Sequence, residues 1–308
     1  MRYAVIIAGA GPAGTTTAWC LQRAGKRCLL VEEKTRLEEK TCGGLLTWSG
    51  IRALEDAGLE AGELLTLGAV PIRRFVYLQK NGTKTHQYHA GEYALGLTRH
   101  LLDSWLLDHA LAAGAVWKPG TRLRQVVRRD GVFHLGGDSA GTLVIATGAA
   151  GLVPRGMASV MERQSFGLSA QIRGNTLLDA DAVYFHMVGE NSPDYFWLIP
   201  NGNGLWNIGI WFRQPPKDAA AQFRRYKAEF VDTAFSQIEF VRPLKGAFCG
   251  HADLSAQFPE GCHTVGDAAG QNQAATGEGL RYAITSAAAV ADQICKEEEQ
   301  RWRSGYTE

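Results

Sequence analysis

The chain opens with an apolar run, Val5, Ile6 and Ile7, followed at once by Gly9, Gly11 and Gly14. The run is too short for a helix, and the pattern predicts a strand that turns tightly into one. A second strand is predicted at "KRCLLVEEK", a short helix over 47–59, and two alternating strands over 71–79 and 83–89. The stretch "LTRHLLDSWLLDHALAAGA" (97–115) predicts a longer helix that starts at a Thr98 cap, carries a leucine stripe and stops at Gly114. Segments 116–118, 121–129 and 132–135 are β-like, and "GTLVIATGAAG" is a strand entering another glycine turn. Between about 160 and 215 the pattern becomes alternation with aromatics, as in "AVYFHMVG", "DYFWLIP" and "GLWNIGIWF". These predict an antiparallel sheet with an aromatic face. A helix over 217–236 follows Pro215 and Pro216, and then come a strand, a loop and a long alanine-rich helix.

This order predicts an α/β architecture: a discontinuous nucleotide domain, residues 1–66, 96–158 and 245–308, with a β-rich substrate domain, 67–95 and 159–244, inserted through it. The first turn carries the chemistry. Side chains at Gly9, Gly11 and Gly14 would hold a pyrophosphate away from the backbone, and the amides of the helix start at Pro12 and Ala13 favour an anion. Glu32, 18 residues past Gly14 and followed by Glu33, ends the second strand where a carboxylate accepts from a ribose diol. An acid there argues against a 2′-phosphate, leaving FAD or NAD. Gly148 in "VIATG" and Gly266–Asp267 in "TVGDAAG" then add a distant second segment, which fits FAD.

Composition narrows the partners. At 308 residues the chain can bury roughly 75% of its unfolded surface, so no staples are required. Lys and Arg (32) balance Asp and Glu (31), which provides no field for steering toward nucleic acid. The six cysteines form no CxxC pair and no metal-ligand spacing occurs, so reduced thiols and no metal are expected. With no signal-like start and no run of 18 apolar residues, the expected location is cytoplasmic, without a transmembrane segment; peripheral membrane contact stays open.

Five segments in order, "GAGPAG", "KTCGGLL", "LTRHLLDSWLLDHALAAGA", "YFWLIPNGNGLWNIGI" and "VGDAAGQNQAATGEGL", together resemble the geranylgeranyl reductase family of FAD-dependent oxidoreductases. The likeness covers most of the chain. It implies the para-hydroxybenzoate hydroxylase-like fold: a Rossmann-like FAD-binding domain with an inserted antiparallel substrate domain. It also implies Arg99 at the FAD phosphates, Asp267 at the ribitol, and "TGEGL", with Gly277, Gly279 and Leu280, at the isoalloxazine end. Such enzymes reduce carbon–carbon double bonds of isoprenoid chains with reduced flavin. Three departures stand out. Ala274 and Ala275 replace a usual proline before "TGEG"; Ile199–Pro200 replaces Phe-Pro, as in flavin-dependent halogenases, which have Trp where Tyr195 stands; and the chain stops soon after its last helix, predicting a less enclosed cavity.

Cys42 lies in the glycine-rich "CGG", by resemblance near the flavin, where a thiol serves as proton donor or nucleophile, or merely fits a tight loop. Lys40 is either solvated or near the site. Tyr195 and His186 are further candidate proton donors, and Trp197, Trp206 and Phe185 candidate pocket walls. The leading expectation is reduction of a double bond in an apolar substrate, with electrons from a transient NAD(P)H or a protein donor, since no second Rossmann signature occurs. The alternatives are a flavin-dependent monooxygenase or halogenase-like enzyme acting on an aromatic or peptide-borne substrate, and a non-catalytic flavin-binding partner.

Overall fold

The structure, a computed structural model, describes residues 1–123, 127–149, 161–188, 192–252, 259–273 and 276–305. The expected opening forms: β1 (Arg2–Ala8), α1 (Pro12–Arg23) and β2 (Cys28–Val31). Next come β3 (Leu45–Leu46), α2 (Trp48–Asp56), the one-turn α3 (Glu63–Thr66), β4 (Val70–Ile72), β5 (Arg74–Gln79), β6 (Gly82–Gln87) and β7 (Ala94–Gly96). Thr47 and Thr98 cap α2 and α4 (Arg99–Ala112), accepting from the amides of Gly50 and Leu101. Each hydroxyl satisfies an amide that has no partner within the helix, which is why the two starts were legible.

After α4 the chain runs through β8 (Val116–Lys118), β9 (Val127–Arg129), β10 (Val132–Leu135) and β11 (Asp138–Ile145). One sheet has the order β8-β2-β1-β11-β10-β9. Its centre is parallel, with β1 between β2 and β11. Val5 and Ile7 of β1 pack with Leu21, Leu107 and Ile294 on one face, and Ile6 and Ala8 with Leu143, Ile145 and Phe133 on the other. A strand buried on both faces reads as a continuous apolar run, as this one does. Within the strand expected over 121–129, only Val127–Arg129 is β among the described residues; Thr121–Leu123 is irregular, its Thr121 amide bonded to the Glu32 carbonyl.

The aromatic segments form β12 (Met161–Thr176), β13 (Ala182–Met187), β14 (Tyr195–Gly202) and β15 (Leu205–Phe212). The helix expected over 217–236 is α5 (Ala219–Tyr226), a π-helical turn Lys227–Val231 and α6 (Asp232–Ala234). It stops early because β16 (Phe235–Ala252), an 18-residue strand absent from the sequence reading, begins there. Pro243 and Gly246 break its alternation, but β16 is the edge of the second sheet, β16-β12-β15-β14-β13-β5-β6, where a missing N–H is tolerated. A third small sheet, β3-β7-β4, joins the two regions. Finally β17 (Cys262–Thr264) pairs parallel to β11, and a 3₁₀ turn, Gly266–Ala269, leads to α7 (Leu280–Gly305). Among the described residues no helix is long and apolar enough to cross a membrane.

Candidate active site

Three separated segments meet at the start of α1. Gly9 has φ +105°, and a Cβ there would lie 2.3 Å from the Ala146 carbonyl oxygen at the end of β11. At Gly14 a Cβ would lie 1.9 Å from the Gly9 carbonyl oxygen, so this turn closes only with glycine. Gly11 differs: a Cβ would meet only Lys40 Nζ, at 3.1 Å. Its outer side is open and faces a cation. No side chain caps α1, no acid occupies its first turn, and Pro12 begins it, so amides and dipole are available to an anion. Glu32 accepts from the Ala10 amide at 2.8 Å and the Lys34 amide at 3.1 Å, which fixes its carboxylate beside the turn. Glu33 instead points outward, 3.5 Å from Arg122.

Gly148, at φ +74°, has nothing within 4 Å of its Cβ position and forms an open wall beyond β11. At Gly266 a Cβ would come 2.9 Å from that of Ala13, placing the 3₁₀ turn against α1. Asp267 Oδ1 lies 3.3 Å from the Cβ position of Gly279, so this carboxylate and the "TGEGL" loop are neighbours. Leu280 is buried with Ile284 behind them. An uncapped helix start, open glycine faces, a fixed acid and a second acid from a distant segment fit FAD, with no protein group filling the cradle.

Arg99 lies elsewhere than the likeness implied. Its guanidinium makes two 3.0 Å bonds to Asp103, one turn along α4, and also faces Cys42. Burial works against its charge, but Asp103 and Cys42 outweigh it and hold Arg99 above its ordinary range. Lys40, 3.7 Å from Asp103, is the cation lying over Gly11. Asp103 is fully buried and was not singled out in the sequence, where an acid inside a leucine-striped helix was its only signal.

The CGG loop is pinned from the second sheet. Asn207 donates to the Cys42 carbonyl at 2.7 Å and accepts from Trp197 Nε1 at 2.8 Å, while Asn201 donates to the carbonyls of Gly43 (3.1 Å) and Gly44 (3.4 Å). Gly44, at φ +71°, leaves 2.0 Å between its Cβ position and the Leu97 oxygen. The Cys42 thiol accepts from the Gly44 amide at 3.5 Å and is partly accessible. The two asparagines were missed, although polar residues inside an apolar alternation mark them.

Strand register divides the aromatic candidates. Trp197, Phe185 and Tyr195 share one face with Trp211 and Tyr77, toward the CGG loop. His186 and Trp206 lie on the opposite face, and there the sequence expectation is corrected. Trp206 packs against Phe235, and His186 stacks on Phe230 at 3.4 Å, because period-2 alternation turns each neighbour of a wall residue into the other core. Tyr195 stacks on Trp211 at 5.5 Å and donates to the Thr276 carbonyl at 2.5 Å. Burial pushes its phenol up, which keeps the proton on oxygen. Gly277, at φ +69°, has its Cβ position 2.7 Å from Trp211 Nε1, and Glu278 accepts from Thr47 at 2.7 Å, so "TGEGL" covers this end of the wall. Ala274 and Ala275 lie outside the described residues.

Burial pushes the His186 imidazole down from 6.5 to about 4. The unfolded chain therefore binds a proton here that the folded protein rejects. Stability is intact above pH 6.5 and declines as pH falls toward about 4, by up to roughly 3 kcal/mol. His186→Leu should flatten the dependence of thermal midpoint on pH across that window; an unchanged slope would assign it to other groups.

A family model described as an FAD binding domain matches residues 2–133. Digeranylgeranylglycerophospholipid reductase 2 of Methanopyrus kandleri is 28% identical, over 97% of this chain and 79% of its own length. Among solved structures, a geranylgeranyl bacteriochlorophyll reductase-like protein of Thermoplasma acidophilum superposes with a TM-score of 0.80 at 19% identity, covering 97% of this chain and 79% of that one. A flavin-dependent brominase gives 0.79 at 16% identity, covering 96% and 79%. Together with the cradle around α1, these likenesses place the chain among the geranylgeranyl reductase-like, FAD-dependent oxidoreductases of the para-hydroxybenzoate hydroxylase-like fold.

Proposed function

We propose that this protein reduces a carbon–carbon double bond of an apolar, isoprenoid-like substrate. The observation that supports this best is the flat wall of Trp197, Trp211, Phe185 and Tyr195 facing the loop that holds Cys42. Gly9, Gly11, Gly14, Glu32, Gly148, Gly266 and Asp267 would hold the FAD, with Lys40 at its phosphates. When bound and reduced, the flavin supplies the hydride.

The chain's own residues do the rest. The aromatic wall holds an unsaturated chain flat and excludes water. Asn207 and Asn201 fix the loop, so the Cys42 sulfur holds its proton at one point over the wall. That proton passes to the carbon that does not receive hydride, and the Arg99 guanidinium stabilises the negative charge left on sulfur. Tyr195 is a positioning residue, its hydroxyl engaged by Thr276.

We take residues 1–66, 96–158 and 245–308 as the FAD-binding unit and 67–95 and 159–244 as the substrate unit, with β16 passing from one into the other. Electrons come from NAD(P)H binding transiently or from a protein donor, and the protein works in the cytoplasm against a lipid surface.

The test is anaerobic reduction with dithionite followed by a polyprenyl lipid or O2. Reoxidation by the lipid with a saturated product supports the reading. Reoxidation by O2 alone, with an oxygenated or halogenated product, replaces it with the monooxygenase-like alternative. Asp267→Ala should weaken FAD about 10-fold to 150-fold, the loss of a charged hydrogen bond. Equilibrium dialysis checks this, and wild-type affinity would remove Asp267 from the cofactor site.

A further inference from the structure

The face of the second sheet that carries the aromatic wall changes character from one side to the other. Cross-strand neighbours are Gln171, Asn207 and Ile199 in one row, and Ser169, Gly209, Trp197, Phe185 and Tyr77 in the next. Each row ends on β16 in a cation. Arg242 pairs with Gln171, and Lys245 with Ser169. In a regular strand, residues three apart point to opposite faces. Here a register shift between the two pairs, at Pro243 and Leu244, brings both cations to the same face.

Beside them lies a cavity of ≈ 50 Å³, whose lining includes Lys40, Ser169, Gln171, Asn207, Arg242 and Lys245. That volume is several times the roughly 15 Å³ that admits one water. Glu39 also reaches the cavity, but its carboxylate accepts from the amides of Arg99 and His100 and from Gln171, so its charge is compensated by the start of α4. Arg242 has no ion pair among the described residues. Lys245 has only Glu38 within electrostatic range, and Lys34 already binds Glu38 at 2.6 Å. Three cations thus converge with too little negative charge to balance them, which is the electrostatic signature of an anion subsite.

We infer that this cavity receives the phosphate group of the substrate, whose apolar chain then crosses the sheet over Trp197 and Trp211. Trp197 lies three strand spacings from β16, about 14 Å, a span that a prenyl chain attached to a phosphate covers easily. The inference rests on the double-bond reductase reading and assigns its polar end. Two other phosphates share this chemistry, those of a nicotinamide dinucleotide and of FAD itself, and the experiment separates them.

Arg242 and Lys245 are exposed at an edge, so Arg242→Ala, Arg242→Glu and the double variant Arg242→Glu/Lys245→Glu leave the cores untouched. Dithionite-reduced protein is mixed with geranylgeranyl diphosphate or with geranylgeraniol, and flavin reoxidation is followed. The preference for the diphosphate should fall about 10-fold in Arg242→Ala and about 100-fold in the double variant, and 0.5 M salt should erode the wild-type preference. An unchanged ratio overturns the inference. So does a loss confined to the rate of flavin reduction by NADPH, or to FAD retention, since the cations then serve those phosphates. If neither lipid reoxidises the wild-type flavin, the reductase reading fails by itself, and calorimetry with inorganic pyrophosphate decides the subsite. Binding by the FAD-loaded wild type that is lost in the double variant keeps the subsite, and absence of binding removes it.

Discussion

Replacing Cys42 with serine lowers single-turnover reoxidation of the reduced flavin by a double-bond substrate about 10²-fold to 10⁴-fold, the range for one acid–base group. Serine has nearly the volume of cysteine, and the loop is held by backbone carbonyl contacts, from Asn207 to Cys42 and from Asn201 to Gly43 and Gly44, that the substitution leaves in place. FAD content and thermal midpoint therefore stay near wild type. What changes is the acidity of the group facing Arg99, since a hydroxyl gives up its proton far less readily than a thiol. Single-turnover measurement is needed because slow product release masks a chemical defect. Wild-type rates in the variant would leave Cys42 as a small residue fitted to a tight turn. With His186 on the far face and the Tyr195 hydroxyl bonded to Thr276, the proton would then come from water or substrate.

Asp103→Ala destabilises the fold by about 3 to 5 kcal/mol, because it strands a buried guanidinium that now makes two bonds to one carboxylate. The side chains of Arg99 and Asp103 are only 12% and 1% exposed, so water screens the charge poorly. Removing both charges, in Arg99→Met/Asp103→Leu, should recover most of the loss, since the penalty belongs to the unpaired charge. Urea unfolding of both single variants and the pair, read as a cycle, isolates the coupling. A cost below about 1 kcal/mol for Asp103→Ala would mean that Lys40 or solvent already compensates Arg99.

Local geometry was legible along the chain wherever chemistry and spacing act over a few residues. The turn at Gly9, Gly11 and Gly14 was one such place, because a side chain there collides with backbone only a few residues away or at the adjoining strand end. The Thr47 and Thr98 caps were others, each a hydroxyl within three residues of the amide it satisfies. The aromatic alternation over 182–212 announced a sheet for the same reason. Alternation states that successive residues face opposite ways; it does not say which way the ligand lies.

Packing made that choice. His186 and Trp206 differ from Phe185 and Trp197 only in strand parity, and the helix α5 and its π-helical continuation, by covering one face, turned the first pair into core and left the second to the site. Asp103, Asn201 and Asn207 gained their roles from partners 4 to 165 residues away. β16 was hidden because Pro243 and Gly246 read as a loop until an edge, which needs hydrogen bonds on one side only, accommodates them. The sequence determined which residues carry chemistry and where the chain turns, since those follow from contacts within a turn or two. Only the tertiary structure decided which of them share a face and which charges are left without a partner, since burial and register depend on what packs against each strand.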